Sequence, residues 1–240
     1  MKITLLTPTR KRPAYMKRLW DSAIQTAHNP SNIEIVFYID DYDSESISMY
    51  ESMKSNQVKA VIGERIILSK MWNEAYKISS GEICMHCGDD IIFRSNNWDQ
   101  IVISEFEKVP DKILFVYGRD GVWDNEELGT HGFLHRNWIE TLGYFVPPYF
   151  DYGGNDGWLT EVATIINRKK FIKEIYTEHM HHIVGKAPKD ETYKEQSVRH
   201  KKRYGGKKGA RELWQTTKKD RVNDAKKLKI FIENTLKEKI

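Results

Sequence analysis

The sequence predicts an α/β fold with a mainly parallel sheet, and three observations predict it. Short apolar runs alternate along the chain with segments of helical period. Several of those runs end abruptly in polar, acidic or basic clusters, as strands ending at a functional edge do. Hydrophobic residues make up 40% and aromatic residues 12% of the 240, enough to fill a core and to exclude a disordered chain. A chain of this length is one domain, with room for a C-terminal appendage.

Taken in order, residues 3–7 read as a buried strand stopped by Pro8, and residues 10–13 as a loop. Residues 14–27 carry helical period through Met16, Leu19, Trp20 and Ala23, and the Asn-Pro-Ser-Asn run at 29–32 breaks it. A second strand over 33–39 ends at Asp40-Asp41-Tyr42-Asp43. Residues 44–54 predict a helix, 58–62 a third strand, and 69–79 a helix that Gly81 closes. Residues 83–86 form a strand running into Gly88-Asp89-Asp90, followed by Ile91-Ile92-Phe93. A helix over 98–106 and a strand over 113–117 follow. Residues 118–132 read as a loop long enough to be a functional lid. Residues 138–142 begin a helix, 156–166 form another, and 171–182 include a strand. Past Asp190 the composition turns to Lys, Arg and Glu, and 221–236 predict an amphipathic helix with Leu228, Phe231, Ile232 and Leu236 on one side.

The net charge of +4 hides a division. Residues 1–167 hold 16 Lys and Arg against 24 Asp and Glu, a net of −8, whereas residues 168–240 hold 22 against 10, a net of +12. A basic segment on an acidic body predicts an anionic partner such as nucleic acid or an acidic membrane surface, set against a solvated helical tail. A mean hydropathy of −0.62 and the lack of any apolar run of about 18 residues predict a soluble chain without a membrane span. The start, Met1 to Leu6, does not read as a signal peptide. Cys84 and Cys87 lack the second pair a zinc site needs, and a strand places them on opposite faces, so two core thiols in a reducing cytoplasm are expected.

Three predicted strand ends carry the chemistry: Thr7 to Arg12, Asp40 to Asp43, and Gly88-Asp89-Asp90. No Gly-rich phosphate loop is present, so bound phosphates would be neutralised by a divalent metal on carboxylates, for which Asp89 and Asp90 qualify. The ordered set Pro8-Thr9-Arg10, Asp40-Asp41, Lys70-Met71-Trp72-Asn73, Gly81-Glu82-Ile83 and Gly88-Asp89-Asp90 resembles glycosyltransferases of the GT-A fold, family-two-like members in particular. The resemblance covers roughly residues 1–193 and leaves 194–240 as a basic helical extension.

This resemblance implies transfer of a sugar from a nucleotide diphosphate sugar, a UDP-sugar, to an acceptor hydroxyl with Mn²⁺ or Mg²⁺. It places Pro8, Thr9, Arg10, Asp40, Lys70, Asp89 and Lys186 on the donor, with Asp40 reading uracil or ribose and Lys186 steadying the diphosphate. It places Asp90, His181 and then His179 on the metal, although Gly88 stands where many members have the first acid of the motif. Asp156, after Gly153-Gly154-Asn155, matches the general base of inverting members, with Asp151 as competitor and a helix cap as the plainer role. Trp123, Tyr144, Phe145, Tyr149, Phe150 and Trp158 surround the acceptor side or fill the core, and His131 stands as a loop histidine. Two other readings compete: a nucleotidyltransferase, disfavoured by the glycine-free first loop, and a non-catalytic nucleotide-sugar binding module, disfavoured by Asp89, Asp90 and Asp156. The acceptor is open among a modified base in nucleic acid, held by the basic segment, a lipid-linked molecule and a glycan.

Overall fold

The computed structural model describes residues 1–124 and 126–237, without the side chains of residues 196, 207 and 208. Its strands are β1 (Ile3–Thr9), β2 (Ile33–Asp40), β3 (Val58–Gly63), β4 (Ile83–His86), β5 (Ile91–Phe93), β6 (Phe115–Arg119), β7 (Gly132–His135) and β8 (Lys169–His179). They form one sheet in the order β3-β2-β1-β4-β7-β6-β8-β5. Strands β3, β2, β1 and β4 run parallel, β7 runs against both β4 and β6, and β6 pairs in parallel with β8.

Side chains alternate between the two faces of the sheet, as the strand period requires. On one face Ile3, Leu5, Ile35 and Phe37 pack with Met16 and Leu19 of α1 (Pro13–Thr26), Tyr50 of α2 (Ser44–Met53), and Trp98 and Phe106 of α4 (Trp98–Glu107). On the other, Leu6, Val36 and Cys84 meet Trp72 of α3 (Leu68–Lys77), Trp138 of α5 (Arg136–Leu142), and Trp158 and Leu159 of α6 (Asn155–Ile165). The same layer takes in Ala225, Leu228 and Ile232 of α9 (Lys218–Lys237). Both cysteines are free, buried and on opposite faces of the sheet.

Several expectations are corrected. Pro8 does not stop β1. Ile83 and Cys87 donate to the carbonyls of Lys2 and Leu6, so the even residues of β1 face β4. Pairing with β4 ends at Leu6, so the N–H that Pro8 lacks would point past the end of β4. Pro13 begins α1 rather than ending a loop, since its missing N–H costs nothing in a first turn. Gly81 is not the cap of α3, which ends at Lys77 with Ile78 as its C-cap. A Cβ at Gly81 would lie 2.5 Å from Thr4 Oγ1, so the glycine allows close approach to β1. Of the loop expected over 118–132, the first two residues belong to β6 and the last begins β7, and the described stretch between is braced by Asp120 and Asp124, which accept from backbone N–H groups of residues 120–123.

The C-terminal segment is three helices, α7 (Glu191–Tyr204), α8 (Lys207–Thr216) and α9, so the boundary at 193/194 passes through α7; residues 238–240 lie outside the described residues. Leu228 and Ile232 of α9 are core, Phe231 is partly buried, and Leu236 is 44% exposed. Arg221 is buried, held by Glu161 at 2.9 Å with its guanidinium 3.9 Å from the Trp214 ring. Among the described residues, no helix is long and apolar enough to cross a membrane.

Candidate functional site

Topology alone gathers the polar residues. Because β1, β2, β4, β6 and β8 share one direction, their carboxyl ends lie at one edge of the sheet, and antiparallel β7 starts there. Thr9, Asp40, Asp89 and Asp90, Asp120, and His179 follow or end the parallel strands, and His131 precedes β7. A cavity of about 370 Å³ opens at this edge, lined among others by Pro8, Thr9, Arg10, Arg12, Asp90, His131, Asp156 and His179.

At its floor, two backbone bonds fix His179 between two acids. Its N–H donates to the Asp120 carbonyl, and the N–H of Met180 donates to that of Asp90, both at 2.8 Å. The imidazole then stands with Nε2 3.4 Å from Asp90 and Nδ1 3.6 Å from Asp120. Burial disfavours its charge, but the flanking carboxylates raise its pKa to about 9. Burial works against both carboxylates too, yet His179 holds each well below the usual range. Asp90 also accepts from the Tyr193 hydroxyl at 2.5 Å.

One ligand atom each from Asp120, His131 and His179 lies within 4.8 Å of the others. His131 is buried, neither ring nitrogen has a hydrogen-bond partner, and burial followed by the charge on His179 lowers its pKa to about 4. The neutral imidazole of His131 has an unengaged ring nitrogen beside the Asp120 carboxylate, which fits a divalent cation such as Mn²⁺, whose ligands are imidazole nitrogen and carboxylate oxygen; His179 would join that set by releasing its proton as the cation binds. Asp90, 3.4 Å from His179, extends the set.

Around this floor runs a ring of charge. Asp89 accepts from Thr9 at 2.9 Å and Arg12 at 2.8 Å. Burial raises its carboxyl, Arg12 opposes, and the adjacent Asp90 charge adds to the rise. Arg12 also bonds Asp190 through Nε at 2.7 Å. Arg10 pairs with Asp40 at 3.3 Å and with Glu195, which Arg65 also reaches at 3.3 Å. Thus the start of α7 covers this wall of the cavity.

Opposite stands the first turn of α6. Gly153 and Gly154 have φ of +63° and +92°, left-handed values that glycine adopts freely, and Gly154 rather than Asp156 is the cap residue. Asp156 is half-buried, accepts the Gly157 N–H at 2.9 Å, and has its pKa raised by burial. Asp151 is already engaged, 3.3 Å from Arg199.

Of the expected donor residues, Pro8, Thr9, Arg10 and Asp89 line the cavity, and Asp40 sits behind Arg10. Lys70 and Lys186 lie apart from the lining. Lys70 projects from α3 into solvent and is not a lining residue, and Lys186 is tied to Glu178 at 2.9 Å outside the lining. His181 lines the cavity but stays out of the triad, because its Nδ1 accepts the Ile183 N–H at 3.2 Å as a turn cap. Phe145, Phe150 and Trp158 are core, whereas Trp123 is half exposed at the cavity mouth. The sequence reading missed Asp120 and Tyr193, gave Arg12 no role of its own within the Thr7 to Arg12 cluster, and ranked His131 low. Asp120 was findable as a fourth carboxyl strand end.

These features define a GT-A-like glycosyltransferase fold. Mannosyltransferase PcManGT from Pyrobaculum calidifontis, in complex with GDP-Man and Mn²⁺, superposes with a TM-score of 0.60 at 15% identity, over 83% of this chain and 60% of that one. S. aureus TarS 1–349 with UDP-GlcNAc gives a TM-score of 0.59 at 15% identity, over 82% and 64%. The same protein with UDP gives 0.57 at 16%, over 73% and 60%. This chain therefore spans less than two thirds of those structures. No protein-family model and no curated protein sequence matches it.

Proposed function

We propose that this chain transfers a sugar from a nucleotide diphosphate sugar, a UDP-sugar, to an acceptor hydroxyl with inversion. One observation carries the reading: Asp90, His131 and His179, with Asp120 buried against the two imidazoles, meet in the same cavity as the half-buried carboxylate of Asp156. The neighbours bound to UDP, UDP-GlcNAc, or GDP-Man with Mn²⁺ support it.

In this reading Asp156 takes the proton from the acceptor hydroxyl as its oxygen attacks the anomeric carbon. The new carbon–oxygen bond forms as the bond from that carbon to the diphosphate oxygen breaks, and the nucleoside diphosphate leaves with the electron pair. Attack from the face opposite the leaving group inverts the centre. Asp90, Asp120, His131 and, on loss of its proton, His179 would hold a divalent cation, which would supply positive charge to the departing diphosphate. In the same reading Asp89, held by Thr9 and Arg12, takes the ribose or diphosphate, and Asp40, buried behind Arg10 with Oδ1 unpartnered, is the candidate for the base or ribose. The exposed cations past residue 200 add an anionic acceptor to the reading.

Titration calorimetry with UDP and GDP, with and without Mn²⁺, tests it without an acceptor. Tight UDP binding that needs Mn²⁺ is expected. Absence of binding to either nucleotide in the presence of metal rejects it.

A further inference from the structure

The basic segment connects to the cavity through α7. Arg199 lines the cavity, and Lys202 and Arg203, three and four residues further on, lie on the same helical face and are exposed. Helix α8 follows and packs over the first turn of α6: a Cβ at Gly157, next to Asp156, would lie 3.2 Å from the Trp214 ring. Arg211, one turn before Trp214, is exposed. Among the described residues, the ion pairs of these three helices use Glu191, Glu195, Arg199 and Arg221. Lys201, Lys202, Arg203 and Arg211 keep their charge toward solvent, with Glu212 a lone exposed carboxylate beside them.

Two observations choose among polyanions. First, the apolar stripe of α9, Ala225, Leu228 and Ile232, is spent on the core, and the exposed Val198 of α7 and Val222, Ile230 and Leu236 of α9 stand singly, with lysines such as Lys201, Lys202, Lys226 and Lys229 near them in the chain. A helix lying in a membrane surface needs a free apolar face. Second, the cavity mouth carries exposed aromatic rings, Trp123 at 50% and Tyr152 at 39%, and Tyr152 meets His200 of α7 at 6.3 Å. Cations that follow a backbone, with aromatic faces for stacking, are what a single strand of nucleic acid requires. A hydroxyl within a stacked duplex cannot reach a carboxylate inside a cavity unless its nucleotide leaves the stack.

We infer that the basic face of α7 and α8 docks single-stranded nucleic acid and leads the strand, as acceptor, past Trp123 and Tyr152 to Asp156; this rests on the glycosyl-transfer reading. Fluorescence anisotropy of the intact chain tests it, using labelled single-stranded DNA, the matched duplex, and vesicles of phosphatidylcholine and phosphatidylglycerol, at about 50 and about 200 mM salt. The single strand is expected to bind best, with affinity falling steeply as salt rises. Joint substitution Lys201→Glu, Lys202→Glu and Arg203→Glu weakens it roughly 10-fold or more and lowers the salt slope by about one unit per lost contact. The same reversal at exposed Lys17, Lys54 and Lys77 leaves binding within about twofold. No single-strand binding at low salt, equal or tighter duplex binding, a vesicle preference, or equal loss in the control variant each overturns the inference. UDP titration with Mn²⁺ on the same samples separates the two readings. Normal UDP binding without strand binding overturns the docking inference alone, and strand binding without UDP binding overturns the transfer reading and with it the acceptor role.

Discussion

The two ends of the sheet both bury charged groups, and they treat them in opposite ways. At the amino end of β2, Glu34 is fully buried yet saturated: Lys2, Lys59, Thr4 Oγ1, Ser80 Oγ and the Ser80 N–H all donate to it, at 2.7 to 3.1 Å. Burial alone would raise its pKa, but these donors hold it at about 2. At the carboxyl edge, both nitrogens of His131, Nε2 of His86 and Oδ1 of Asp40 are buried without a hydrogen bond. A buried polar group left unpaired costs about 1–3 kcal/mol. A fold that satisfies one such group five times over and leaves several others open distinguishes a structural charge from groups awaiting a ligand.

The sharpest way to break this contrast is at Asp156. Asp156→Asn should slow transfer by roughly 10²–10⁴ while UDP affinity and melting temperature hold; a loss of folding instead would make the residue structural. Next is Asp90→Asn. Mn²⁺ should improve UDP affinity in the parent, and the variant should lose that gain by about 10–100-fold or more in metal affinity, read by calorimetry.

Third comes Glu34, where the effect is on stability alone. Its carboxyl is depressed from about 4.3 unfolded to about 2 folded, so it contributes about 3 kcal/mol, order of magnitude, above pH ~4.3. That contribution is lost as pH falls toward 2. Urea unfolding at pH 6 and pH 3 should show the loss in the parent and a flatter profile in Glu34→Gln, with UDP binding at neutral pH unchanged. The smallest effect is expected from Gly81→Ala, about 1–3 kcal/mol, because its Cβ would also meet the Thr4 nitrogen at 2.7 Å.

How far each region was legible follows from how local its causes are. The parallel half could be read because the strands from β1 to β4 are mostly apolar, interrupted at Thr4, Glu34 and Lys59, and Asp40, Asp89 and Asp90 end or follow them. Strand β7 could not, since its apolar content is Phe133-Leu134 and its identity comes from pairing with β4 and β6. Asp120 falls within the stretch read as a loop over 118–132, and nothing in the sequence says that β8 brings His179 against it. For Lys70 and Lys186 the sequence could not show that a helix face turns the one to solvent or that the other pairs with Glu178. The basic segment looked like an appendage because Lys dominates its composition, while the few apolar positions of α9 decide where it packs.

Cys84 and Cys87 offer a measurement that the fold makes on itself. Both are fully buried around one short central strand, one thiol in each packed layer, and burial pushes Cys84 up to about 12 and Cys87 higher still. Neither forms thiolate at neutral pH, so alkylation must await exposure. Cys84 becomes accessible when the layer of α5, α6 and α9 lifts, and Cys87 when that of α1 and α4 does. Equal labelling rates at the two sites would mean that the chain opens as one cooperative unit, and a faster Cys84 would time the separate departure of the C-terminal helices.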